Sequence, residues 1–318
     1  MKISVLVPVY GVEKYIARCA ESLFGQTYGD LEYVFVDDCT PDSSIGILRS
    51  VMERHPVRKT QVRIIRNDEN MGIGAVRQRL IDESTGDALT FVDSDDYLPP
   101  RAVELLAAEM GRSGAYIVDG GWQRVTREGA SAVNRPYQGR DEKHYLRLML
   151  CQNIVSNRLW GRLYRRRLFT DNGIRLAPGI DYCEDYSVIT RLMFHARRSF
   201  IDDSVYYYCD DNAGSYTHTM SPRHMRSFVM SNRVVLDFFT SNDPQGRYSF
   251  PLQIGMLNVL RTVRRNGYGF GDVDGLLGYA PKGLVFRMLA SMLRGKCPLR
   301  IAETAYLAVR KLYTSTTK

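Results

Sequence analysis

The chain has 318 residues, 44% of them hydrophobic and 25% charged, with a formal net charge of +8. Such proportions belong to a globular protein with a substantial core, as one large domain or two small ones. They leave no uncharged apolar run of about 18 residues, which argues against a spanning helix.

The opening MKISVLVPVYG reaches no small-residue cleavage site and reads as a first strand, not a signal peptide. Ile16, Cys19, Ala20 and Leu23 then recur at helical spacing. LEYVFVDD is a second strand, after which Asp42 can cap a helix carrying Ile45, Leu48 and Met52. VRIIRN, GIGAVRQRLIDES and ALTFVD continue as strand, helix and strand. A stripe of Val103, Leu106, Ala107 and Met110 leads to a fifth strand, AYIVDG. This alternation predicts an α/β fold, a mostly parallel Rossmann-like sheet with helices on both faces.

Residues 121–140 lose the period and read as a loop or hairpin insertion. From Asp141 helices dominate: HYLRLMLC, a segment near DYSVITRLMFHA, and a longer one from about Pro222 to Thr240. The β-rich SFIDDSVYYYC interrupts them, while NDPQGR and the glycines of 267–278 are linker candidates. Six scattered cysteines without a Cys-x-x-Cys pair suit reduced thiols in a cytosolic protein. From Pro281 to Lys318 there are eight Lys/Arg against one acid, Glu303, so nearly all the net charge lies in this tail.

Open parallel sheets bind ligands beyond the carboxyl ends of their strands. Three acid-bearing ends stand out: Asp37 and Asp38, then Asp93 to Asp96, then Asp119. In VDSDD, the carboxylates of Asp93 and Asp95 can converge on Mg²⁺ or Mn²⁺, and the same residues also suit a turn that starts a helix. VPVYG opens a strand end on which a base or ribose could rest, although Pro8 also serves as a strand terminator. NMGIGAVRQ sets a glycine-rich loop before a helix, a place that favours anions, with Arg77 one turn in. In CEDY, Glu184 and Asp185 begin a helix as dipole-matching acids or as a general base.

Taken in order, VPVYG, VFVDDCTPD, NMGIGAVRQRL, GDALTFVDSDDYLPP and CEDY closely resemble the second family of inverting nucleotide-sugar glycosyltransferases, of GT-A type, over residues 1–215. The resemblance implies a catalytic region 1–215, with nucleotide-sugar binding in 1–120 and the acceptor part in 121–215. A helical region 216–318 with a basic amphipathic tail, 281–318, would follow. Pro8 and Tyr10 would lie beside the base, Asp38 would hold it, and Arg77 would lie near base or diphosphate. Asp93 and Ser94 would meet the ribose and metal region, and Asp95 would bind the cation. Asp185 would be the catalytic base, preceded by Glu184. His218, in NAGSYTH, is offered as a third metal ligand, since some relatives use a late histidine, against a purely structural role. Gln78 departs from the family's Ala-Arg-Asn run.

The implied donor is a UDP-sugar, and the implied acceptor a glycan or lipid-linked saccharide in cell-surface polysaccharide synthesis. Trp160, in RLWGRLYRRRLF, is either an acceptor platform or a buried aromatic, and Arg165 to Arg167 face either a lipid diphosphate or water. LVFRMLASML, between Lys282 and Arg294, reads as a basic amphipathic helix. It would suit a protein held peripherally at the cytoplasmic face of an anionic membrane, against packing on the catalytic part or forming a homodimer. Nucleic acid is not an expected partner, since no reading module accompanies the basic tail. A degenerate GT-A binding protein and a sugar nucleotidyltransferase are the alternatives; the latter would want a basic glycine-rich loop that PVYGVEKY lacks.

Overall fold

A computed structural model describes residues 1–139, 141–152, 154–210 and 220–316. The elements begin as β1 (Ile3–Val9), α1 (Ile16–Phe24), β2 (Leu31–Asp37), α2 (Ser44–Glu53), α3 (Pro56–Lys59), β3 (Val62–Arg66), α4 (Ile73–Glu83) and β4 (Ala88–Phe91). They continue as α5 (Ala102–Ser113), β5 (Ile117–Thr126), β6 (Gly129–Ala130), α6 (Glu142–Leu150), β7 (Arg162–Arg165), α7 (Arg167–Thr170), α8 (Glu184–His195) and β8 (Arg198–Cys209). The remainder is α9 (Pro222–Asn242), α10 (Ser249–Arg265), α11 (Gly271–Leu277), α12 (Leu284–Ser291), a π-helical turn over Met292–Lys296, and α13 (Leu299–Thr316).

These elements form two compact units, and the chain alternates between them. One comprises residues 1–140, 158–181 and 195–215; the other comprises 141–157, 182–194 and 216–318. The second therefore claims two segments upstream of 215, among them Glu184 and Asp185.

The first unit is built on an eight-stranded sheet in the order β3-β2-β1-β4-β7-β5-β6, with β8 paired to β5. β3, β2, β1 and β4 run parallel, as their alternation with helices predicts. β7 is antiparallel to both β4 and β5. Fully buried β1 and β2 residues such as Ile3, Val5, Tyr33 and Phe35 pack with Ile16, Cys19 and Leu23 of α1. The second half of β5 and the β6 hairpin occupy the stretch that lost its period in the sequence.

In the helical unit, Asp141 caps α6 by accepting from the Lys143 and His144 N–H groups. α10 is buried on most sides, Ile254 to Leu260 included, and Gly255 has no room for a β-carbon, which would stand 2.3 Å from the Leu150 carbonyl oxygen. Gln152 bonds Asn232 at 2.6 Å and Asn258 at 2.8 Å, a polar link from α9 to α10 inside an apolar core. No helix among the described residues is long and apolar enough to cross a membrane.

Candidate active site

Three adjacent parallel strands, β2, β1 and β4, bring Pro8, Tyr10, Asp38 and Asp93 to Asp95 to one sheet edge. The Val9 carbonyl accepts from the Asp38 N–H, and the Leu6 carbonyl accepts from the Val92 N–H, both at 3.0 Å. Backbone groups along β1 thus alternate between its two neighbours, so the Pro8 nitrogen faces β4. Its missing N–H ends that ladder, and the β1–β4 register stops at Leu6 with Phe91. The edge opens there, with Tyr10 exposed beyond it.

The three aspartates after β4 have separate fates. Asp96 is buried and accepts from the Tyr206 hydroxyl and the Cys209 N–H, each at 2.7 Å. Burial, followed by the charges of Asp95 and Asp93, pushes its carboxyl well above the usual range. Asp93 accepts from Arg77 Nη2 at 2.8 Å. Asp95 is half-buried, and its carbonyl accepts from Arg18 Nη2 at 2.9 Å. Ser94 turns inward between them. The turn is therefore tied at Asp96 to β8 and at Asp93 to α4, and both Asp93 and Asp95 retain access to solvent.

Asp38 has a structural duty as well. Its carboxylate accepts from Asn67 Nδ2 at 2.6 Å, the Met71 N–H at 2.8 Å and the Gly72 N–H at 3.0 Å, which fixes the glycine loop. Asp37 is buried and bonds the Thr40 N–H. Asp42 precedes the N-cap of α2, Ser43, and accepts from the Ser44 N–H at 3.1 Å.

The glycine loop does not leave an open anion seat. Asp181, which sequence reasoning passed over, accepts from the Gly74 N–H at 3.3 Å. A β-carbon on Gly72, whose φ is +83°, would stand 2.4 Å from its carboxylate oxygen. The glycines admit a protein carboxylate to the α4 N-terminus. Arg77 is buried and directed to Asp93, and Gln78 accepts from the Leu176 N–H at 2.8 Å.

Asp119 is not on the edge, because β5 continues past it to Thr126. Its buried carboxylate lies between Arg162 and Arg198, joining β5, β7 and β8. Despite burial, those two guanidiniums hold it below the usual carboxylate range. Trp160 stacks on Tyr206, centroids 4.3 Å apart, and on Tyr208 at 5.6 Å. Arg165 and Arg167 bond Met1 Sδ and the Tyr116 hydroxyl.

In the helical unit, Glu184 and Asp185 form the first turn of α8. Glu184 is buried, while Asp185 is half-buried. Cys183, just before them, has φ +61°, uncommon for a residue with a side chain. Two serines of α9 hold this turn: Ser231 Oγ donates to the Cys183 carbonyl at 2.6 Å, and Ser227 Oγ accepts from the Tyr182 N–H at 2.8 Å. Cys39, next to Asp38, has φ +57°. Two of the three positive-φ non-glycine residues described thus adjoin candidate acids, and such strain gathers at functional sites.

His218 lies outside the described residues. Among those described, no group of three or more His, Cys, Asp or Glu residues is arranged to hold a metal ion. Asp93 and Asp95 nonetheless match a hard cation that takes one or two protein carboxylates and completes its shell with substrate phosphates.

A family model described as "Glycosyl transferase family 2" matches residues 4–173, more than half the chain. The putative glycosyltransferase EpsH of Bacillus subtilis (strain 168) is 28% identical over 212 residues, covering 65% of this chain and 60% of that protein. Three further curated relatives are matched over 34%, 70% and 62% of their own lengths. Among solved structures, Staphylococcus aureus TarS 1–349 has a TM-score of 0.67 at 19% identity, over 98% of this chain and 92% of that one. It has also been solved with UDP-GlcNAc, with a TM-score of 0.63 at 21% identity and the same coverage. A Pyrobaculum calidifontis mannosyltransferase in complex with GDP-Man and Mn²⁺ has a TM-score of 0.54 at 17% identity, over 96% and 87%.

Proposed function

Since the chain belongs to glycosyl transferase family 2 and has the GT-A fold, we propose that this glycosyltransferase moves a hexosyl or N-acetylhexosaminyl group from a UDP-sugar to a hydroxyl. The acceptor is a glycan or lipid-linked saccharide in cell-surface polysaccharide synthesis, and the reaction inverts the anomeric centre. The work is cytoplasmic, at the inner face of the cell membrane. The observation that carries this reading is the shared edge of β2, β1 and β4, where Asp38, Tyr10 and the Asp93–Asp95 turn follow neighbouring strand ends.

On this reading Pro8 and Tyr10 flank the base, and Asp38 both shapes the glycine loop and offers its remaining acceptor capacity to the uracil. Arg77 acts by holding Asp93. Asp95, with Asp93, would hold Mn²⁺ or Mg²⁺, which when bound supplies Lewis-acid stabilisation of the departing diphosphate. Asp185 takes the proton from the acceptor hydroxyl as its oxygen bonds to the anomeric carbon and the bond to UDP breaks. No enzyme nucleophile is needed. Burial of Glu184 beside half-buried Asp185 supports assigning the base to Asp185.

Release of UDP from a panel of UDP-, GDP- and dTDP-sugars, with and without Mn²⁺, tests the proposal. Turnover of a UDP-sugar that needs the cation is expected. Turnover confined to GDP- or dTDP-sugars would refute the uracil assignment, and inertness towards every donor would refute the activity.

A further inference from the structure

The sequence predicts one apolar stripe on α12, and the structure gives that helix two. Phe286, Leu289 and Ala290 are buried within the helical unit, as is Leu293 just beyond. The stripe is thus spent on packing. On the other side, Leu284, Val285 and Met288 are 75, 54 and 57% exposed. Their spacing of i, i+1 and i+4 gathers them on one side of the helix. A surface helix ordinarily turns polar residues outward, and one that is apolar all round is covered. Phe250, itself 42% exposed, adjoins the buried side through an edge contact with Phe286 at 4.9 Å.

The charge on α12 and on the turn that leads into it has one sign. Exposed Lys282 precedes the helix and exposed Arg287 flanks the apolar trio. Among the described residues neither forms an ion pair, and α12 carries no acid. The two acids that line one cavity with Lys282 are paired with other cations, Asp237 with Arg233 at 2.6 Å and Asp243 with Arg247 at 3.4 Å. A second copy on this face would, across a two-fold interface, set Lys282 and Arg287 among their own equivalents. An anionic lipid surface offers hydrocarbon to the trio and negative headgroups to the cations.

We infer that the outer face of α12 docks on anionic membrane, with Leu284, Val285 and Met288 entering the headgroup–acyl boundary and Lys282 and Arg287 meeting lipid phosphates. This inference deepens the proposed placement at the membrane and does not depend on the glycosyl-transfer chemistry, so the docking and the activity can fail separately.

The test is co-sedimentation of the full chain with phosphatidylcholine vesicles, pure or mixed with phosphatidylglycerol. Binding to the mixed vesicles alone is expected, weakening as salt rises. Leu284→Ser with Met288→Ser should lower the partition at least about tenfold, the loss expected when only two buried methylene equivalents are removed. Lys282→Ser and Arg287→Ser should each lower it roughly fivefold. Unchanged thermal melting and UDP binding in these variants would confirm that only docking was altered. Equal binding to pure phosphatidylcholine, or unchanged binding by the variants, would overturn the inference. So would a dimer in light scattering that Leu284→Ser with Met288→Ser abolishes, since a second copy would then own the face.

Discussion

Arg77 Nη2 lies 2.8 Å from Asp93 Oδ1, so the second turn of α4 and the end of β4 share one ion pair. The arginine is buried and the aspartate partly open, which makes Arg77 a positioner of the carboxylate. Arg77→Met should cost about 2 kcal/mol of stability, below the value for a fully buried pair because Asp93 retains water. Donor affinity should fall with it, and Arg77→Lys should restore part of each. Urea unfolding and calorimetric titration with UDP measure the two effects; full UDP affinity in Arg77→Met would contradict the positioning role.

Asp95→Asn should separate metal from nucleotide. In the parent protein Mn²⁺ is expected to raise UDP affinity, and excess chelator to abolish turnover. In the variant the Mn²⁺ increment should vanish, leaving the weak metal-free affinity. Titrations with and without chelator decide this, and an intact increment would remove Asp95 from the metal site.

Asp185→Asn should lower transfer by at least about a hundredfold, the ordinary reach of a general base. UDP affinity should be unchanged. Glu184→Gln should instead act mainly on stability, because Glu184 is the buried member of the pair. Steady-state rates beside melting curves distinguish the two behaviours.

Glu32 supplies a prediction about pH. Although burial works against ionisation, bonds from Ser4, Thr85 and Lys2 lower its pKa from 4.5 to about 2. A depressed carboxyl stabilises the fold above its unfolded value, and that contribution disappears as pH falls from about 4.5 to about 2. At neutral pH it is on the order of 3 kcal/mol. Glu32→Gln should therefore narrow the stability gap to the parent as pH falls through that window, as followed by urea unfolding.

What the sequence disclosed was whatever repeats with a short period. β1, β2, β3 and β4 and the helices between them were legible because their apolar positions recur at strand or helix spacing. Pro8, Asp38 and Asp93 were legible as strand ends, which are local features. β7 was not, because its four residues include two arginines. Arg162 is buried with its guanidinium on Asp119, 43 residues earlier, and no local pattern carries such a partnership. Asp119 looked like an edge acid because it follows the apolar run Tyr116–Val118, yet β5 runs on to Thr126 and the carboxylate is taken by Arg162 and Arg198. Asp181 escaped notice because its role arises 107 residues from Gly74. Asp96 looked like one more rim carboxylate until Tyr206 and Cys209 were seen to claim it.

The alternation of the chain between its two units bears on how this protein can be recombined. Residues 141–157 and 182–194 belong with 216–318, so no single cut yields two self-sufficient pieces. A shortened variant ending near 215 would strand α6 and α8 without the α9 and α10 surfaces that cover them, and with α8 would go the footing of Asp185. Chimeras that exchange the helical unit should graft α6, α8 and the C-terminal helices as one cassette, despite their separation along the gene.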